Sequence, residues 1–236
     1  MNLVYVLQVV FSLIMLSYVS WLDLKSREID EKIWLYFSPI VVFILFDYKY
    51  INVLLFAYSF SVTVVVLLLI YKYSLMGGAD VFAMSILGLA NSSVRPFFFP
   101  KLSVVGLEPI TVILYTSIVI SLSVLVNFVR NYRHTKGLPL SKRLVLAMSG
   151  RKVKVRDFLN SKFLFPLTVI DESGKEELRL TFYVDEDDKE WRERYAELVK
   201  KGVITKDTVI WVAYGLPVLP YITLGYVISL ISGIPI

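Results

Sequence analysis

The sequence predicts an all-α polytopic membrane protein of six transmembrane helices, with a small soluble α+β domain inserted before the last helix. Three observations predict it. Of the 236 residues 56% are hydrophobic and mean hydropathy is +0.66, above the apolar share of an ordinary soluble domain. The apolar residues are gathered in blocks, several of them about 20 residues long and so able to cross a bilayer. One stretch, roughly Arg130–Lys206, differs in composition, with 18 Lys+Arg against 12 Asp+Glu in a chain whose net charge is +5.

The six apolar spans run roughly Leu3–Leu22, Ile33–Phe46, Ile51–Tyr71, Ala79–Leu89, Ile110–Val129 and Val209–Ile231. The first lacks a basic leading region and a small-residue cleavage site, so it reads as a retained span and not a cleaved signal. The second and fourth are short for a full crossing. The fourth lengthens only by taking in Asn91-Ser92-Ser93 or Phe97-Phe98-Phe99. Trp21, Trp34 and Trp211 read as interfacial anchors. In the soluble stretch, Leu167–Ile170 and Leu178–Val184 flank Asp171-Glu172-Ser173-Gly174-Lys175 and predict a hairpin with a glycine turn. Val153–Val155 adds an edge strand. Lys189–Lys201 predicts a helix, with acidic residues before it and Gly202 after it. The domains are then 1–129 (spans one to five), 130–206 (soluble) and 207–236 (span six).

Charge sets the orientation. Lys25, Arg27 and Lys32 follow span one, the basic domain follows span five, and Lys200, Lys201 and Lys206 precede span six. The other side has Lys49, Arg95 and Lys101. Positive residues favour the inside, which puts the soluble domain in the cytoplasm and both termini outside. The domain's acids and bases are interleaved, so its partner is the lipid bilayer and not nucleic acid.

Composition narrows the chemistry. With no cysteine, disulfides, thiolate metal sites and cysteine nucleophiles are excluded. The only histidine, His134, lies in a basic polar stretch outside the spans. That argues against Ser-His catalysis and leaves a metal site short of ligands, so no metal or cofactor is expected. Carboxylates remain. Asp23 closes span one and Asp80 opens span four, and with six spans both fall at the cytoplasmic ends of their helices. Intramembrane acids are functional candidates by default. Two adjacent carboxylates share one proton; between them they activate a water and donate to an amide carbonyl. Taken singly, each has a plainer reading. Asp80 is a helix N-cap after a glycine turn, and Asp23 an interfacial acid paired with Lys25 or Arg27. Gly77 and Gly78 permit unusual torsions and close backbone approach. A competing function is an ion- or proton-coupled transporter using membrane-edge carboxylates. Against it, Asp47 and Glu108 fall on the opposite face, with no further buried acids forming a relay between the faces. A third reading is a non-catalytic assembly scaffold.

Three stretches carry a family resemblance. Trp21-Leu22-Asp23-Leu24-Lys25-Ser26-Arg27-Glu28-Ile29 resembles the first motif of the archaeal preflagellin peptidases, relatives of the type IV prepilin peptidases among the GxGD intramembrane aspartyl proteases. Gly77-Gly78-Ala79-Asp80 resembles the second motif, with Ala79 where the class has its second glycine. Leu216-Pro217-Val218-Leu219-Pro220-Tyr221 resembles the proline-rich opening of the last helix and the Pro-x-Leu element of the presenilin branch. The resemblance implies that Asp23 and Asp80 are catalytic and that Gly77, Gly78, Ala79, Pro217 and Leu219 position substrate or backbone. The implied activity is removal of short basic leader peptides from archaellin or type IV pilin-like precursors at the cytoplasmic face. A basic leader calls for acids: Glu28, Asp30 and Glu31 lie just past Asp23. The run Asp185–Asp188 is a second option, set against a solvated turn before a helix. Without cysteines, the cysteine-bearing domain and N-methylation of bacterial relatives are not carried over.

Overall fold

The computed structural model describes residues 3–73, 76–92, 96–98, 106–183 and 186–233. Contacts divide the chain into two units, 1–120 with 217–236, and 121–216. The first unit is helical. It contains α1 (Leu3–Ser26), α2 (Lys32–Phe37), α3 (Phe43–Asp47), α4 (Val53–Lys72), α5 (Gly78–Ala90), the first half of α6 (Glu108–Asn131) and α10 (Val218–Ser232). Among the described residues, three helices are long and apolar enough to cross a membrane, over Leu3–Ser26, Val53–Lys72 and Glu108–Thr135; α5 and α10 are shorter apolar helices.

The prediction of six transmembrane helices changes in two places. The segment expected as span two is α2, a 3₁₀ turn at Ser38–Val42 and α3. Pro39 breaks it. Proline has no N–H to give back to the preceding turn, and the Leu35 carbonyl is instead met by Ser38 Oγ at 3.0 Å. The segment expected as span six begins as a strand, β5 (Val209–Tyr214), and turns helical only at Val218. A short apolar run reads the same as a buried strand or as the start of a helix.

Each membrane-type helix points one stripe inward. On α1 the buried residues are Gln8, Val9, Ser12, Met15, Leu16, Val19, Ser20 and Asp23, the three- and four-residue spacing of one helical face. Asp23 is therefore the last member of a core-facing stripe. On α5 the buried face runs from Asp80 through Ala83, Met84 and Leu87 to Ala90. α10 packs on α6 at Gly225, where a Cβ would lie 2.8 Å from the Thr116 nitrogen and 2.9 Å from the Val112 oxygen.

The second unit holds the second half of α6, α7 (Leu140–Ser149), β1 (Gly150–Lys154), α8 (Val155–Leu159), β2 (Leu164–Pro166), β3 (Thr168–Ile170), β4 (Glu176–Leu178), α9 (Asp188–Lys200) and β5. β5 is the centre of an antiparallel sheet in the order β1-β5-β2. The predicted edge strand is β1, although Val155 already belongs to α8. The hairpin is β3–β4, with Thr168 opposite Leu178, a glycine turn at Gly174 (φ +81°) and Asp171 Oδ1 accepting from the Ser173 and Lys175 N–H groups. Its second strand comes earlier than the predicted Leu178–Val184, whose last residue lies outside the described residues. Arg179 leaves the ladder, its N–H bonding the Leu167 oxygen and its Nε the Pro166 oxygen. α9 matches the predicted helix to within one residue. It is capped by Asp187 and followed by Gly202 at φ +72°.

Two of the three tryptophans are not interfacial anchors. Trp34 is buried and stacks on Phe82 at 6.1 Å. Trp211 is buried because it lies in the central strand, while Trp21 is 51% exposed.

Candidate active site

Asp23 and Asp80 come from distant parts of the chain, and both are held at the start of a helix. Asp80 is the third residue of α5; its Oδ2 accepts the Gly77 N–H at 3.1 Å. Asp23 Oδ2 accepts the Leu219 N–H at 3.2 Å. Leu219 is the second residue of α10, so its N–H has no partner within that helix and lies at the positive end of the helix dipole. Two residues with no N–H frame it, Pro217 at the N-cap and Pro220. Both aspartates are buried. Asp23 Oδ1 lies 3.7 Å from Arg27 Nη1, and the charges of Asp23 and Arg27 both act on Asp80. The three groups are thus near enough for their charges to act on one another. A carboxylate pair suits acid–base work: one carboxylate accepts a proton while its partner supplies one.

Comparison with known families bears on what the pair does. The Type IV leader peptidase family model matches residues 10–126, a span that includes both aspartates. The model for the Archaeal Peptidase A24 C-terminus Type II matches residues 142–234, which includes the sheet and the opening of α10. The chain belongs to the type IV leader peptidase family. No curated protein matches it. The resemblance to preflagellin and prepilin peptidases therefore stands, and the chain is a multi-pass membrane peptidase whose substrates are precursor proteins.

In this leader peptidase the plainer readings of the acids hold locally as well. Asp23 does pair with Arg27. Asp80 does serve its helix start, but from the third helical position; the N-cap is Gly77. Gly77 has φ −81° and ψ 157°, open to any residue, which corrects the expectation of an unusual torsion. An added Cβ at Gly77 or Gly78 would meet its nearest neighbour, Asp80 Oδ2 or the Tyr71 ring, at an ordinary 3.7 Å. Their smallness therefore leaves open room beside Asp80 and relieves no strain. Ala79 is half-buried against the helical core. Pro217 and Leu219 are buried.

Glu28, Asp30 and Glu31 are exposed on the link from α1 to α2 and are not drawn into the pair. Asp30 Oδ1 accepts the Lys32 N–H at 2.8 Å and starts α2, while Ile29 between them packs on the core. Of the second acidic run, Asp185 lies outside the described residues, and Glu186 to Asp188 serve the sheet unit's own structure.

Two features went unread in the sequence. Arg27, taken as a partner for Asp23 alone, stands 3.7 Å from Asp23 on a backbone at φ +60°, and its charge also acts on Asp80. Ser20 and Thr223 share a 2.6 Å hydrogen bond that ties α1 to α10 close to Asp23. Their signal was spacing: Ser20 precedes Asp23 by three residues and Thr223 follows Leu219 by four. A further expectation is corrected. Asp47 is buried, with Oδ2 accepting from Gln8 Nε2 at 2.7 Å and Ser92 Oγ at 3.1 Å. Beside it Asn91 bonds Ser12 and Tyr226. These neutral donors let a carboxylate stay inside the helical unit.

Proposed function

We propose that this peptidase is an aspartic endopeptidase. It uses Asp23 and Asp80 to remove short basic leader peptides from preflagellin (archaellin) or type IV pilin-like precursors at the cytoplasmic membrane face. The observation that supports the reading is that both acids are buried, within electrostatic reach of each other, with one oxygen of each held by a backbone N–H at a helix start. A water between the acids gives its proton to the ionised one as its oxygen attacks the scissile carbonyl carbon. The protonated acid donates to the carbonyl oxygen. The tetrahedral intermediate then collapses, the C–N bond breaks, and a proton passes to the leaving amine, which becomes the new N-terminus. The open side of Gly77-Gly78-Ala79 admits the precursor backbone, and the opening of α10 at Pro217 and Leu219 holds Asp23 in register. Glu28, Asp30 and Glu31, five to eight residues past Asp23 and exposed, attract the leader's lysines and arginines. The bias of Lys and Arg supports a cytoplasmic site with both termini outside.

Incubating the purified protein with a basic-leader precursor and sequencing the product tests this reading. The expected result is a single new N-terminus directly after the leader; an unchanged precursor contradicts it. Buried Asp47 is the one observation that lends weight to transport. Yet Asp80 and Asn91, beside Asp47, are eleven residues apart on α5, about 16 Å, and that helix buries Ala83, Met84, Ile86 and Leu87 between them. Helix α5 itself carries no titratable side chain between them. Proton or ion flux in liposomes, lost in aspartate variants that never generate a new N-terminus, would reverse this judgement.

A further inference from the structure

The sheet unit carries an apolar stripe that its own core does not use. α7 turns Leu146 and Ala147 inward, and Leu146 packs with Leu167, Trp211 and Ala213. On another face, Leu140, Leu144 and Met148 are 67%, 36% and 42% exposed. Spaced four residues apart, they form a continuous stripe along the helix.

The stripe is anchored to the end of a membrane-type helix. Asn131, the last residue of α6, donates from Nδ2 to the Gly150 oxygen just past α7, at 2.7 Å. The Arg143 guanidinium lies over the Tyr132 ring at 3.9 Å. α6 is one of the three helices long and apolar enough to cross a bilayer, and its polar end begins at Arg130. α7 is thus pinned to the polar end of that helix.

Charge is sorted as well, which corrects the expectation that acids and bases are interleaved throughout this domain. From Arg130 to Arg156 there are nine Lys and Arg and no Asp or Glu; from Asp157 to Lys206 there are nine against twelve. The surplus noted in the composition therefore belongs wholly to the segment that contains α7. Lys154 and Arg156 are paired with Asp207. Arg133 and Lys136 are exposed, and Lys142 is half-buried.

We propose that α7 is an interfacial helix. Leu140, Leu144 and Met148 enter the boundary between headgroups and acyl chains, and Arg133 and Lys136, exposed in the segment that leads into α7, meet anionic lipid phosphates. An apolar stripe with cations close by in the chain is what such a surface takes, and each nearby cation adds to the attraction.

The absence of native cysteine makes the test direct. Full-length Leu144→Cys and Met148→Cys, with Ser173→Cys in the exposed hairpin turn as reference, carry an environment-sensitive fluorophore. They are reconstituted in vesicles of phosphatidylcholine and phosphatidylglycerol, and melting temperatures confirm that each is folded. Nitroxide lipids are expected to quench the probes at 144 and 148, while aqueous iodide quenches them several-fold less than at 173. Protection is expected to weaken in phosphatidylcholine alone, and in Arg133→Gln/Lys136→Gln. Iodide quenching at 144 equal to that at 173 would overturn the proposal. So would a 144-to-144 disulfide between copies, which makes the stripe a dimer contact, or protection that appears only when precursor is added. Protection that is the same with and without phosphatidylglycerol would overturn the headgroup assignment.

Discussion

Asp23 and Asp80 each give one oxygen to a backbone N–H at a helix start inside the helical unit. Asp30 and Asp187 also accept such an N–H, so what sets Asp23 and Asp80 apart is burial. The expectation that they share a depth rested on span order. That a backbone donor from Leu219 would be one of the holders was not legible, because hydropathy carries no hydrogen-bond geometry. The glycines yield a sharp expectation. At Gly78 a Cβ meets only the Tyr71 ring at 3.7 Å, so Gly78→Ala should leave the melting temperature unchanged or raised, the unfolded chain losing about 0.4–1 kcal/mol of freedom. If the precursor backbone passes over this turn, kcat/KM should nevertheless fall by about tenfold or more, equivalent to about 1.4 kcal/mol. Asp47→Asn should behave in the opposite way. It disturbs a buried cluster and should cost about 1–3 kcal/mol of stability, with cleavage per folded molecule nearly unchanged. Thermal melts read beside turnover check both.

Elements were legible where periodicity ran long and misread where it was short. The stripes of α1, α4 and α6 are unambiguous. Ile33–Phe46 failed at Pro39, whose missing N–H was visible but outweighed by hydropathy. Val209–Tyr214 failed because an apolar run of that length fits a strand sandwiched between β1 and β2 as well as it fits a helix. The hairpin and α9 were readable from turn and cap residues. In that unit Glu186 ties three groups together. Burial pushes its carboxyl up, but bonds from Arg179, the Tyr183 N–H and Trp191 outweigh burial and hold it below the ordinary value. A lowered folded value stabilises the fold fully above the group's usual pKa of 4.5 and loses that contribution as pH falls through the lower folded value. Glu186→Ala should therefore cost about 2 kcal/mol at neutral pH. The gap from the parent should close in acid, which melts of the two proteins across pH 3 to 7 would show.

At the scale of the whole molecule, the blocks of apolar residues mark a membrane protein, and the two family models make it a peptidase. Sidedness rests on Lys and Arg placement and is open to a direct check. Ser173→Cys should react with an impermeant maleimide only from the cytoplasmic side, and Tyr50→Cys, 71% exposed in the parent chain, only from outside; the reverse labelling would invert the orientation. The central claim is that Asp23 and Asp80 together cut the leader. Its most direct measurement is turnover of a basic-leader precursor by Asp23→Asn and Asp80→Asn, each shown to insert and melt like the parent. Losing one proton-transfer partner typically costs about 10²–10⁴-fold, so each variant should fall at least about a hundredfold, with the double variant little worse than either single one. Near-normal cleavage by either folded variant would contradict the pair.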